Sequence, residues 1–143
     1  MDPRFECINQ TPSELYHYTL KANVDSITSR NMLRMGDDGF IWGCLSKEDI
    51  IAQFNATVLN PHYARFDGKG GIETIQNTNK DDYVILKVTP KYDIPLRWFI
   101  FHPDLPPTFT DRQAQDVRYN PYALSVAYQG NLRISSIESI ILP

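Results

Sequence analysis

The sequence predicts a small α+β domain with helices concentrated in its first half and short strands in its second. Three observations carry that expectation. Apolar residues recur at helical spacing at Leu20, Val24 and Ile27, and again at Ile50, Ile51 and Phe54. Beyond residue 80, β-branched and aromatic runs of strand length are separated by Pro, Gly and Asn. The two kinds of segment do not alternate strictly, as a doubly wound parallel sheet would require. At 143 residues the chain suits one hydrophobic core, so positions 1–143 read as a single domain in which 1–12 form an irregular lead-in.

Glu14 to Thr19 is rich in strand formers, with Leu15, His17 and Thr19 on one face and Tyr16 and Tyr18 on the other. The first helix follows, with Asn31 as a left-handed stop. Met32-Leu33 then leads into Gly36-Asp37-Asp38-Gly39, a strong turn signal. Phe40 to Leu45 is short and apolar and reads as a buried strand. Ser46 is placed as an N-cap, because Glu48 and Asp49 fall in the first turn where negative charge suits the helix dipole. Asn60-Pro61 ends the second helix, and His62 to Lys80, centred on Gly68-Lys69-Gly70-Gly71, reads as a surface loop. Tyr83 to Val88 is the clearest strand. Leu96 to Phe101, Leu124 to Tyr128 and Leu132 to Ile134 follow, the last two joined through Gln129-Gly130-Asn131. An apolar end of Ile137, Ile140, Ile141 and Leu142 closes the chain.

Charge and cysteine content narrow the function. Fourteen Lys and Arg against seventeen Asp and Glu give a net charge of −3. That argues against holding nucleic acid by phosphate neutralisation alone, yet leaves room for an enzyme that meets nucleic acid briefly. Cys7 and Cys44 follow no metal spacing and build no disulfide framework, which favours a reducing compartment. No leader pattern opens the sequence and no apolar run approaches the roughly 20 residues of a membrane span. The expectation is a cytoplasmic protein without a membrane partner. His17, His62 and His102 are too scattered to suggest a metal, and no local motif supports a Cys44–His17 nucleophilic pair.

Chemistry concentrates at Tyr16-His17-Tyr18-Thr19. Histidine can bond a sugar hydroxyl, tyrosine can lie against a heterocycle, and a following helix N-terminus favours phosphate. The plainer reading is two core tyrosines beside a satisfied histidine. Leu15-Tyr16-His17-Tyr18-Thr19, then an amphipathic helix, then Met32-Leu33 and a turn, resembles the opening of ADP-ribosyltransferase-like domains. The resemblance covers the first 50 residues and, more loosely, the last 30.

That resemblance implies a split β-sandwich that clasps NAD as co-substrate. His17 would bond the adenosine-side ribose, Tyr18 would lie against the nicotinamide amide, and Thr19 would support them. The family's aromatic residue that stacks on nicotinamide is usually a tyrosine. Here Trp42 or Phe40 supplies that face, and Ser46 resembles the serine that begins the next helix. The catalytic acid, a glutamate in most members, stabilises the oxocarbenium-like ribose as nicotinamide leaves. Arg112 to Arg118 resembles the segment that carries it, which makes Asp116 the acid and Gln115 or Gln113 its positioning neighbour. A competing alignment puts that position at Gln129, without an acid, and Glu138 is a third choice. Arg30 and Arg34 are candidates for the pyrophosphate. The implied activity is transfer of ADP-ribose to a macromolecular acceptor, protein or nucleic acid, or to water. Small free-standing domains of this kind resemble toxins or effectors. That adds a cognate antitoxin or immunity protein as a partner, and a target cell's cytoplasm as a place of action. Three rivals stand beside it: a nucleotide-binding module of the same fold with reduced catalysis, an RNA 2′-phosphotransferase, whose arginine-rich motifs are not found, and a structural or interaction protein with no small-molecule cleft.

Overall fold

A computed structural model describes residues 5–58, 64–66, 72–74, 80–101 and 125–140. The chain forms a mostly antiparallel β structure with two short helices, a small α+β fold. Strand β1 (Phe5–Ile8) occupies part of the expected irregular lead-in. Its cue is its partner, since four residues carry little pattern of their own. The Tyr-His-Tyr segment forms β2 (Leu15–Leu20), as its alternation predicts. A 3-10 turn at Lys21–Asn23 leads into helix α1 (Val24–Arg30), which ends where Asn31 takes a left-handed φ of 50°. Met32–Leu33 is the two-residue strand β3, and Phe40–Cys44 is β4. Helix α2 (Lys47–Thr57) starts at the expected cap, with the Ser46 hydroxyl accepting from the Asp49 N–H at 3.1 Å.

The stretch expected as a loop contains β5 (Ala64–Phe66) and β6 (Ile72–Thr74), which pair with each other as a separate two-stranded sheet. Before residue 80 the strands β1, β3, β5 and β6 thus join the expected β2 and β4. After it come β7 (Tyr83–Pro90), β8 (Trp98–Phe101), β9 (Ser125–Gln129) and β10 (Leu132–Ile140). Strand β8 begins two residues later than expected because Pro95–Arg97 winds into a 3-10 turn. Strand β10 absorbs both the predicted short strand and Ile137 and Ile140. A register shift between Ile134 and Ser136 interrupts its alternation, which is why the sequence reads as two pieces.

The main sheet has eight strands in the order β1-β8-β9-β4-β2-β7-β10-β3. Strand β2 pairs with β7 along its whole length, from Leu15–Val88 to Leu20–Tyr83. Strand β4 pairs equally completely with β9, from Phe40–Gln129 to Cys44–Ser125. Between β2 and β4 the only paired residues are Tyr16 and Cys44. The sheet is thus two four-stranded halves joined at one residue pair. Leu15, Leu86, Val88, Leu132 and Ile134 from one half share a single buried cluster with Ile41, Trp98, Val126 and Tyr128 from the other. On the opposite face Ile50 of α2 packs with Cys44 and Ile85, and Tyr16 and Tyr18 lean on that group. Among the described residues, no helix is long and apolar enough to cross a membrane.

Candidate functional site

The site is built at the place where the two halves part. An antiparallel ladder continued from Tyr16–Cys44 would bring Tyr18 opposite Trp42. Instead the Trp42 carbonyl accepts a hydrogen bond from Nδ1 of the His17 ring at 2.6 Å. A carbonyl can only accept, so Nδ1 carries the hydrogen and the neutral ring keeps its lone pair on Nε2. The imidazole has taken a partner that backbone pairing would otherwise use, and the strands diverge from that point. Burial lowers the His17 pKa, partly offset by the bond to Trp42, so the ring is neutral at physiological pH.

Gly43 sets the closeness of the crossing. A Cβ there would lie 2.5 Å from the Tyr16 carbonyl oxygen and 2.8 Å from Cδ1 of Leu15. Only a residue without a side chain lets β4 pass β2 this tightly. The result is a fork with the His17 imidazole at its base.

On the β2 side, the Tyr18 ring is held edge-on to Phe54 at 5.5 Å and to Tyr83 at 6.3 Å, which fixes it between β2, α2 and β7. The Thr19 hydroxyl accepts from the Asn23 side-chain amide at 3.2 Å. On the β4 side, Phe40 and Trp42 share one face by alternation, the face on which Cys44 meets α2. Phe40 stacks on Phe5 at 5.1 Å, and the Trp42 ring stands edge-on to Phe101 at 5.3 Å. The indole Nε1–H donates to Oδ2 of Asp38 at 2.7 Å, and Oδ1 of the same carboxylate accepts from the Phe40 N–H at 2.9 Å. Both candidate stacking residues are therefore anchored by Asp38, which the sequence presents only as a turn residue. The signal for it was an aspartate two positions before a strand, where its carboxylate can take a backbone N–H.

The expected site residues separate clearly. His17, Tyr18 and Thr19 lie on the β2 arm of the fork and Phe40 and Trp42 on the β4 arm. Alternation, however, turns His17 and Thr19 to one face of the sheet and Tyr18, Phe40 and Trp42 to the other. The hydroxyl of Ser46 is committed to capping α2. Gln129 lies beside Phe40 in the β4–β9 ladder. Glu138 faces Lys87 on the far side of β2, within 3.8 Å of its ammonium. Asp116, Gln115 and Gln113 lie outside the described residues. Cys44 is no partner for His17, since it points to the other face of the sheet. Its thiol donates to Oε1 of Gln53 at 2.8 Å, as does the Ser125 hydroxyl at 3.1 Å. Burial, helped by Asp49, pushes the thiol pKa up to about 12, which leaves it without a nucleophilic thiolate.

No family model, curated protein or solved structure matches this chain. The chemistry of the site therefore rests on its own geometry. It offers a neutral imidazole acceptor at the base of the fork on one face of the sheet, and on the other face a fixed phenol from β2 and an anchored indole and phenyl ring from β4. Such a set can bond a hydroxyl and flank a flat ring.

Proposed function

We propose that this chain is an NAD-dependent ADP-ribosyltransferase of the split β-sandwich type. The observation that supports the reading best is the fork itself. The sheet opens between β2 and β4 at the histidine that the resemblance assigns to NAD, and the aromatic residues assigned to nicotinamide stand on its arms.

In this reading the lone pair on Nε2 of His17 accepts from a ribose hydroxyl. Tyr18 and Trp42, with Phe40 behind it, flank the nicotinamide end. The bond between nicotinamide nitrogen and the anomeric carbon breaks with its electron pair passing to nicotinamide. Positive charge grows on the ribose, and the carboxylate of Asp116, positioned by Gln115, stabilises it. The acceptor nucleophile then bonds the anomeric carbon and loses its proton. The acceptor is a protein side chain or a nucleic-acid base, and water serves where none is bound. A toxin or effector role, checked by an antitoxin or immunity protein, suits so small a domain.

Release of nicotinamide from NAD by the purified protein tests the proposal. Wild type should turn over NAD, Asp116→Ala should lose about 10²–10³-fold in kcat, and His17→Ala should raise KM about tenfold. No release with protein, nucleic acid or water as acceptor overturns the enzyme reading. NAD binding without release would then assign a binding module of the same fold.

A further inference from the structure

We propose that Asp38 is a positioning residue that makes Trp42 a receptor for a cationic heteroaromatic ring, so that the site prefers a pyridinium to its uncharged counterpart. The inference deepens the reading above and rests on the fork being a ligand site. It follows from how completely the structure determines the indole. Trp42 is half-buried, with Phe5, Phe40 and Phe101 at ring-centroid distances of 5.7, 5.9 and 5.3 Å. Its N–H is held by one oxygen of Asp38, and the other oxygen is held by the N–H of Phe40, so the carboxylate cannot swing without losing a bond.

The turn that carries Asp38 is pinned in the same way. Gly36 N–H donates to the Phe40 carbonyl and Gly39 N–H to the Gly36 carbonyl, both at 3.0 Å. Gly39 has a φ of 85°, open to glycine. Its carbonyl accepts from Gly130 N–H at 2.9 Å, which ties the turn to the one between β9 and β10.

Asp38 is exposed, and an exposed charge-assisted bond adds little to folding stability. What it supplies is orientation and charge. Tryptophan has the best aromatic face for a cation. An indole whose N–H donates to a carboxylate is more electron-rich still, and the carboxylate adds its own field beside the ring. Asp37, next in the turn, has the same sign. Charge complementarity therefore selects a positively charged ring. The oxidised nicotinamide of NAD carries that charge and the reduced form does not.

The test uses two probes of nearly one shape, 1-methylnicotinamide, a cation, and nicotinamide, which is neutral. Each is titrated while the indole N–H resonances of both tryptophans are followed. Trp98, fully buried in the core, is the internal control. In wild type the Trp42 signal should shift saturably, and the cation should bind at least about fivefold more tightly. Asp38→Asn should move the free Trp42 resonance, leave Trp98 in place and reduce the preference to about onefold. Should Asp38→Asn disturb Trp98, Trp42→Leu, titrated by calorimetry because it lacks the reporting indole, must abolish the preference in its stead, and Asp38→Glu must restore part of it. Equal binding of the two probes by wild type, no saturable shift, or an undiminished preference in Asp38→Asn overturns the proposal. These outcomes are independent of turnover, so a protein that prefers the cation yet never cleaves NAD refutes the transferase reading alone.

Discussion

His17 joins the two halves of the sheet through a side chain, and the same bond fixes its tautomer. Its pKa lies below the ordinary 6.5 because burial disfavours the imidazolium. Between that lowered value and 6.5, the unfolded chain binds a proton that the folded chain does not. Stability contributed by the neutral ring is therefore complete above 6.5 and is lost as pH falls below it, by at most about 1.4 kcal/mol per pH unit. His17→Asn keeps a donor near the Nδ1 position and removes the titration. In urea unfolding, the stability of wild type minus that of His17→Asn should shrink from pH 7.5 to pH 5. A difference that stays flat over that range refutes the claim. At this scale the sequence was legible where chemistry is local. His17 was singled out by its neighbours, and Ser46 and Asn31 by the backbone groups they satisfy. Asp38 was not, because its meaning depends on where the Trp42 indole folds.

The crossing of β2 and β4 is a property of two elements and turns on Gly43. In Gly43→Ala the new Cβ would meet the backbone oxygen of Tyr16 at 2.5 Å, and neither strand can withdraw without breaking its ladder to β7 or β9. The expected loss is about 3 kcal/mol or more. Gly36→Ala is the contrast, because a Cβ there meets nothing closer than 3.5 Å. It should cost less than about 1 kcal/mol. Chemical denaturation of the two variants checks the pair, and similar losses would mean that the strands do not touch at Gly43. Elements with a strong internal pattern, β2, β7 and both helices, could be read from their residues. Strands of two to four residues such as β1, β3, β5 and β6 could not, since tertiary pairing decides them. The fork was equally hidden, because no run of residues records which neighbour a strand leaves.

Over the whole molecule, one core holds together what the sheet nearly divides. Trp98 is the largest fully buried side chain in it and sits on β8, with the Tyr128 ring at 4.8 Å. It shares its cluster with Leu15, Leu86 and Ile134 from the other half of the sheet. Its indole N–H is buried without an acceptor among the described residues, a cost of about 1–3 kcal/mol that its packing must outweigh. Two substitutions separate these contributions. Trp98→Ala should destabilise the protein by about 3–5 kcal/mol through the cavity it leaves. Trp98→Phe should cost far less, because it removes the unpaired donor along with part of the ring. If the core spans the fork, each loss should be felt equally in both halves. Native-state amide exchange should then show the slowest amides of β7 and β10 weakened by the same free energy as those of β8 and β9. In both variants Trp42 is the sole remaining tryptophan, so its fluorescence should lose native character at the same denaturant concentration as the far-ultraviolet circular dichroism. Weakening confined to β8 and β9 would mean that the halves unfold independently, with the Tyr16–Cys44 pair and the His17 bond unable to couple them.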